Sequence, residues 1–182
     1  MTSGYIQFSS NDEWMTPRYA LRDFFSYTNI DPQRFKIWEP FYGDGRSTAI
    51  MQSMGYRVID CNGKDFFTTP PPTQSDTILV SNIPFSKKKD ILRFLLLTKN
   101  IPRFAVLLPV NTFYTKYFHE ILEEAKDREV NMLIPNARIQ YTRGGKKISY
   151  CALDTAWMVS GVDLPPPRFG MHFMPAVGPR DA

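Results

Sequence analysis

Short apolar runs alternate along this chain with segments in which apolar residues recur every three or four positions. Runs of the first kind are typical of buried strands, and segments of the second kind indicate amphipathic helices. Because the two alternate, the pattern predicts an α/β fold with a mostly parallel sheet. The predicted strands are Phe35–Phe41, Arg57–Asp60, Thr77–Ser81, Phe104–Val110, Asn131–Pro135, Arg138–Arg143 and Tyr150–Ser160. The predicted helices follow Trp14–Pro17 and then cover Ala49–Gly55, Asp90–Thr98 and Thr115–Asp127.

Local signals refine several of these elements. Thr16 can cap the first helix, and Pro17 suits the first helical position, where its missing N–H costs no hydrogen bond. The last two predicted strands flank a basic, glycine-containing loop at residues 143–147, which indicates a hairpin. Between Asp60 and Thr77 the chain is too short for a clear further strand.

Composition supports one globular domain. Of the 182 residues, 43% are hydrophobic and 14% aromatic, which is enough for a sizeable core. We expect a lead-in at residues 1–13, a main domain at residues 14–161, and a docked or mobile Pro/Gly-rich tail at residues 162–182. The polar N-terminus, the two cysteines and the lack of a bilayer-length apolar stretch predict an intracellular protein, in cytoplasm or nucleus, without a metal site.

The segment Asn82–Phe85 follows the predicted strand Thr77–Ser81 and therefore lies at its carboxyl end. Asn82 offers an amide oxygen, while Pro84 holds Ile83 extended so that its carbonyl points outward. Phe85 offers a flat face for stacking. Two acceptors beside an aromatic ring suit a planar amine such as that of adenine, whose nitrogen becomes able to attack once its protons are held. The same residues are also typical of an ordinary turn.

Two glycines, Gly43 and Gly45, separate the first predicted strand from the next helix. This order lets backbone N–H groups and a helix N-terminus approach a ligand, but the third glycine of the dinucleotide fingerprint is missing, which argues against NAD. Asp60 ends the following strand about 20 residues later, where a carboxylate can accept ribose hydroxyls. Asp65 can contact the edge of an adenine ring, and Phe66 can stack on its face. Alternatively, Asp65 caps a turn and Phe66 belongs to the core.

Positive charge is placed in two short segments, although the net charge is only +4. One basic run, which includes Lys87 and Lys88, directly follows Phe85, and a second flexible loop carries more lysine and arginine. An isolated basic run is usually a solvated surface, but two runs beside one candidate pocket predict contacts with phosphates. The second loop contains Arg143, Lys146 and Lys147.

Together these segments resemble the S-adenosylmethionine-dependent adenine-N6 methyltransferases of the class I Rossmann-like fold. Glu39–Gly45 is similar to their glycine motif, and Asn82–Phe85 to their catalytic (Asp/Asn)-Pro-Pro-(Tyr/Phe) motif. Trp14–Pro17 resembles an aromatic-Thr-Pro segment of bacterial and phage DNA enzymes, and Arg138–Tyr141 resembles an Arg-Ile-Xaa-Phe segment of phage-type members. The resemblance covers residues 14 to about 160 and implies a mostly parallel sheet with helices on both faces. It also suggests a phage- or virus-encoded protein.

The resemblance implies S-adenosylmethionine as cofactor and a role for each matched residue. The target amine would be held by Asn82 and the Ile83 carbonyl, with Phe85 and Tyr141 as stacking faces. The implied catalytic residues are Asn82, Ile83, Pro84 and Phe85. The implied cofactor-binding residues are Thr16, Glu39, Phe41, Gly43, Gly45, Asp60, Asp65 and Phe66. The two basic runs, together with the resemblance at Tyr141, predict nucleic-acid contacts at Lys87, Lys88, Tyr141, Arg143, Lys146 and Lys147.

One departure from the motif keeps the acceptor open. Ile83 stands where the DNA enzymes have proline, and Asn-Ile-Pro-aromatic is similar to the adenine dimethyltransferases of ribosomal RNA. The glycine motif Glu39–Gly45 does not follow those RNA enzymes, however, and we expect adenine in nucleic acid, with DNA favoured over RNA. A glutamine side chain in a protein and a non-catalytic nucleic-acid-binding subunit remain alternatives. Because 182 residues leave no room for a target-recognition domain, a partner subunit or a homodimer could supply target recognition.

Overall fold

A computed structural model describes the protein at residues 14–61, 64–98, 100–143, 146–147, 154–166 and 170–180, without the side chains of residues 143, 146 and 147. The expected lead-in at residues 1–13 lies outside this part of the chain. The helices are α1 (Arg18–Thr28), α2 (Arg46–Ser53), α3 (Lys88–Leu97) and α4 (Lys116–Glu124). The strands are β1 (Lys36–Glu39), β2 (Arg57–Asp60), β3 (Thr77–Asn82), β4 (Phe104–Pro109), β5 (Asn131–Pro135), β6 (Thr142–Arg143), β7 (Lys146–Lys147), β8 (Thr155–Ser160) and β9 (Met171–Met174).

Seven strands form one sheet in the order β2-β1-β3-β4-β8-β5-β9. The first four are mutually parallel, β8 is antiparallel to both of its neighbours, and β9 is parallel to β5. The carboxyl ends of six strands therefore lie at one edge of the sheet, together with the start of β8. This arrangement confirms the predicted mostly parallel α/β sheet.

Helices cover both faces of the sheet because strand residues alternate between two cores. Ile37 of β1 packs in the core of α1 and α2, whereas its neighbour Trp38 packs in the core of α3 and α4. Phe24 of α1 stacks on Trp157 of β8, with ring centroids 4.3 Å apart. Burial of side chains of this size contributes roughly 1.5–3 kcal/mol each. None of the helices described here is long and apolar enough to cross a membrane.

Helix α1 begins without the cap predicted from the sequence. Its N-cap residue is Pro17, in an extended conformation, and no side chain caps the helix. Thr16 therefore precedes the N-cap position by one residue and does not bond to the first free N–H groups of the helix. The prediction that Thr16 caps α1 was wrong. The Thr16 side chain is buried instead, with a hydroxyl that has no hydrogen-bond partner in the part of the chain that the structure describes.

The predicted strand Arg138–Arg143 does not join the main sheet. Only Thr142 and Arg143 are extended, and they pair with β7 in a separate two-stranded ribbon. β8 occupies the space between β4 and β5, and β9 pairs with the other edge of β5, so neither edge of β5, the strand that precedes the segment, is open to it. The predicted hairpin across the basic loop is thus the short ribbon, and β8 belongs to the sheet.

The segment expected as a tail contributes a strand. β9 pairs with β5 from Met171 opposite Met132 to Met174 opposite Pro135. His172 and Met174 are buried, while Met171 and Phe173 are exposed. The domain boundary expected at residue 161 therefore leaves out an edge strand. This strand was not predicted because it has only four residues and lies between prolines and glycines.

Candidate active site

The candidate site lies where the chain leaves β1 and β3, two neighbouring strands whose onward connections diverge. β1 continues through α2 to β2 on one side, and β3 leads through α3 to β4 on the other. Such a switch point opens a crevice at the carboxyl ends of the strands, which is the usual ligand site in open α/β sheets. Glu39 ends β1 and Asn82 ends β3.

Glu39 is a buried carboxyl group at this switch point. Its Oε1 accepts a hydrogen bond of 2.5 Å from Ser81 Oγ on β3 and one of 3.1 Å from the Phe41 N–H. Burial raises the pKa of Glu39 to about 8, against the lowering effect of these two bonds. The group is therefore mostly protonated at neutral pH in the free protein, and a bound cation would favour its ionisation.

Asn82 is held by the chain that precedes α1. Its Nδ2 donates a hydrogen bond of 2.8 Å to the main-chain carbonyl of Trp14. Because a carbonyl can only accept, the amide nitrogen must face Trp14, and the amide oxygen faces the other way. That oxygen is buried and has no hydrogen-bond partner among the described residues. An unmet buried acceptor is costly, so it marks a position prepared for a donor.

The rest of the tetrapeptide forms a rigid turn. Ile83 is 2% exposed and packs in the core of α3 and α4, and Pro84 is buried. Phe85 begins a short 3₁₀ helix, Phe85–Lys87, and is partly exposed. Lys88 Nζ donates to the Phe85 carbonyl at 3.2 Å, whereas Lys87 is exposed. The predicted phosphate contact is therefore more accessible at Lys87 than at Lys88.

The glycine turn has the conformation that its sequence requires. Gly43 and Gly45 have φ of +58° and +82°, a region that favours glycine. A Cβ on Gly43 would meet only the Phe41 carbonyl, at 3.9 Å, so this side of the turn is open. A Cβ on Gly45 would lie 2.5 Å from the hydroxyl of Tyr42. The close approach at Gly45 is thus made by a neighbouring ring.

The three residues predicted for ribose and adenine have different surroundings. Asp60 pairs in register with Glu39 and is exposed at the carboxyl end of β2. Asp65 caps a turn, since its Oδ1 accepts from the N–H groups of Phe67 and Thr68 at 2.8 and 3.2 Å. Phe66 is 0% exposed in the core. Asp60 alone of the three presents an exposed side chain at this edge.

Tyr141 is not an exposed stacking face. Its ring is 1% exposed and meets the Trp14 ring edge-on, with centroids 6.3 Å apart. Its hydroxyl lies 2.8 Å from Thr155 Oγ1. The predicted stacking on a base would therefore require Trp14 to move. The side chains of Arg143, Lys146 and Lys147 lie outside the described part of the chain. The ribbon itself adjoins Met15, because the Met15 N–H donates to the Thr142 carbonyl and the Thr142 N–H donates to the Met15 carbonyl.

A cavity of about 540 Å³ opens beside Thr16. Met15, Pro17, Tyr19 and Ile50 supply its apolar wall. Its polar lining comes from Thr16, Arg18, Arg46, Gln140, Thr142 and Arg180. These arginines are far apart in the chain, so no sequence motif connects them.

Two other contributors were also missed. Ser81 orients Glu39, and the sequence signal for it is a polar residue inside an otherwise apolar strand, next to Asn82. Trp14 was noted only as part of a segment. Trp14 holds Asn82 through its main-chain carbonyl, which every residue type has, so the sequence gives no signal for this contact.

Comparison with known proteins supports the fold. No protein-family model matches the chain, and no curated protein matches its sequence. Among solved structures, it is similar to a Listeria monocytogenes protein provisionally assigned as a class I S-adenosylmethionine-dependent methyltransferase. The two share 12% sequence identity with a TM-score of 0.54, over 97% of this chain and 70% of the other. The chain therefore has the Rossmann-like α/β fold of class I methyltransferases.

Proposed function

We propose that this protein is a methyltransferase that transfers a methyl group from S-adenosylmethionine to the N6 amine of adenine in nucleic acid, with DNA favoured over RNA. The observation that carries the proposal is the amide oxygen of Asn82, which is buried at the carboxyl end of β3 and has no partner among the described residues. The neighbouring strand β1 ends in the buried carboxyl group of Glu39. The fold and the glycine turn at the same edge support it.

The residues at this edge fit the chemical groups of S-adenosylmethionine. Glu39 suits the cationic methionine end, since a positive charge would offset the cost of ionising the buried carboxyl group. Thr16 offers a buried hydroxyl that has no partner among the described residues, and Gly43 leaves one side of the turn open. Asp60 stands next to Glu39 in register and suits ribose hydroxyls. When bound, this cofactor supplies an electrophilic methyl group.

Asn82 and its neighbours prepare the acceptor. The bond to Trp14 fixes the amide so that its oxygen is available to a proton of the adenine amine. We assign the second acceptor to the Ile83 carbonyl and the stacking face to Phe85. Asn82 has no basic atom at neutral pH, so it positions the amine, and the proton released on methylation passes to water. Stacking of roughly 1–3 kcal/mol per base offsets much of the cost of extruding it.

An acceptor panel tests this proposal. The protein is incubated with methyl-labelled S-adenosylmethionine and, separately, with adenine-containing DNA, RNA of the same sequence, and a protein extract. We expect label in DNA as N6-methyladenine. Label in RNA would show that the acceptor is RNA, as in the ribosomal RNA enzymes that the motif with Ile83 resembles. Label in protein would favour a glutamine side chain as the acceptor.

A binding measurement separates the enzyme from a non-catalytic subunit. Calorimetry with S-adenosylmethionine should show one bound molecule per chain. Absence of binding, together with nucleic-acid binding, would instead support the non-catalytic subunit. We assign target recognition to short loops, a partner subunit or a second copy of the chain.

A further inference from the structure

Three arginines that are distant in sequence line the cavity beside Thr16, which we call the arginine cavity. Arg18 begins α1, Arg46 begins α2, and Arg180 lies beyond β9. Only the fold brings them together. Their common location is the feature that the proposed function leaves unexplained.

Two of these guanidinium groups have no carboxylate partner in the part of the chain that the structure describes. Arg18 Nη1 donates to Ser53 Oγ at 2.6 Å, and Arg180 donates to the side-chain oxygen of Asn136. Arg46 pairs with Asp44 at 2.9 Å, an exposed ion pair of little strength. The cavity therefore carries about two uncompensated positive charges, to which the uncapped N-terminus of α1 adds a positive dipole end.

The arginine cavity adjoins both the candidate site and the basic ribbon. Trp14, whose carbonyl holds Asn82, is two residues before Thr16, and two residues of chain span at most about 7 Å. On the other side Thr142 lines the cavity and begins the ribbon β6–β7, which contains Arg143, Lys146 and Lys147. A nucleic-acid strand that presents a base to Asn82 would thus pass this positive charge.

We propose that the arginine cavity binds a backbone phosphate of the nucleic-acid substrate, with Arg18 and Arg180 as its principal contacts. Guanidinium groups match phosphate oxygens in a planar, two-pronged geometry. The apolar wall of Met15, Tyr19 and Ile50 offers room for the attached sugar, and about 540 Å³ is ample for a nucleotide-sized group. The inference rests on the proposed function for the identity of the strand.

Binding variants test it without requiring turnover. Fluorescence anisotropy would measure the affinity of the full chain for a labelled adenine-containing oligonucleotide. Measurements at salt concentrations from about 50 to about 200 mM would give the dependence of the affinity on salt. Arg18→Gln/Arg180→Gln should weaken binding roughly tenfold and lower the salt slope by about 0.7–0.9 for each lost contact. Arg57→Gln is the matched control, since Arg57 is exposed at the opposite end of β2. It should bind almost as wild type.

The affinity for S-adenosylhomocysteine gives the second readout. It should be unchanged in the double variant, which would also show that the variant is folded. Unchanged oligonucleotide affinity and salt slope would overturn the proposal, as would loss of S-adenosylhomocysteine binding alone, which would assign the cavity to the cofactor's carboxylate. No oligonucleotide binding by the wild type would also overturn it. Binding through the arginines without methylation of any nucleic acid would reject only the proposed function.

Discussion

The side chain of Asn82 donates a hydrogen bond of 2.8 Å to the main-chain carbonyl of Trp14. This contact joins the end of β3 to the chain that leads into α1, 68 residues earlier. It determines which way the amide faces and leaves the amide oxygen buried without a partner. The local structure of the candidate site therefore depends on a residue that the sequence motif Asn82–Phe85 does not include.

Replacement of Asn82 by Ala should reduce methyl transfer by about 10²–10³-fold, the range found when one positioned polar group is removed from an active site. The affinity for S-adenosylhomocysteine, measured by calorimetry, should change little, because the proposed contact is with the acceptor. Asn100→Ala, at an exposed loop before β4, is the control. Unchanged turnover in the Asn82 variant would reject its assigned role.

Thr16→Val should have opposite effects on stability and on cofactor binding. Valine replaces a buried hydroxyl without a partner by a methyl group of similar size, so the free protein should become more stable by about 1 kcal/mol. Because we assign the hydroxyl to S-adenosylmethionine, affinity for that ligand should fall about tenfold. Urea unfolding and calorimetry measure the two quantities. A variant that is more stable but binds the cofactor normally would remove Thr16 from the site.

Glu39→Gln should flatten the pH dependence of stability. The pKa of Glu39 is raised from 4.5 to about 8, so between these values the folded state keeps a proton that the unfolded state loses. The stability from neutral Glu39 is complete below pH 4.5 and is lost as the pH rises through 8, an effect on the order of several kcal/mol. Glutamine remains neutral throughout. Urea midpoints at pH 5 and pH 8 should differ less in the variant, and parallel pH profiles would contradict the prediction.

Ser81→Ala should destabilise the protein by about 1–3 kcal/mol at pH 6, because it removes one of the two donors to the buried oxygen of Glu39. It should also raise the pKa of Glu39 further, since the lost bond lowers it. A double-mutant cycle with Glu39→Gln tests the pairing. Strictly additive changes in the free energy of unfolding would show that the two side chains do not interact.

Gly45→Ala should destabilise the protein more than Gly55→Ala does. Both glycines have positive φ, of +82° and +92°, so both substitutions carry a backbone cost of about 1–2 kcal/mol. Only at Gly45 would the new Cβ collide with Tyr42, at 2.5 Å from its hydroxyl oxygen and 2.7 Å from the nearest ring carbon; at Gly55 it meets nothing within 4 Å. The additional cost at Gly45 should decrease in a Tyr42→Ala background. Equal unfolding free energies for the two alanine variants would contradict this account.

Elements whose own residues bury a face were predictable. β3 and β4 are runs of apolar residues, and α3 has an apolar face, so periodicity located them to within a residue or two. β9 was missed because four residues among prolines and glycines become a strand only where β5 offers a free edge. Arg138–Arg143 was assigned to the sheet because its pattern resembles a strand, but β8 and β9 occupy both edges of β5, the strand that precedes it.

The sequence by itself determined the alternation of strands and helices, the glycine turn, and the placement of Glu39 and Asn82 at the ends of strands, because these depend on neighbouring residues. Tertiary structure decided which groups are free. It buried Phe66 and Tyr141, and it left the amide oxygen of Asn82 without a partner among the described residues. It also gathered the arginines of the arginine cavity. Hydrogen-bond satisfaction and exposure depend on atoms distant in the chain, and only the folded backbone brings those atoms together.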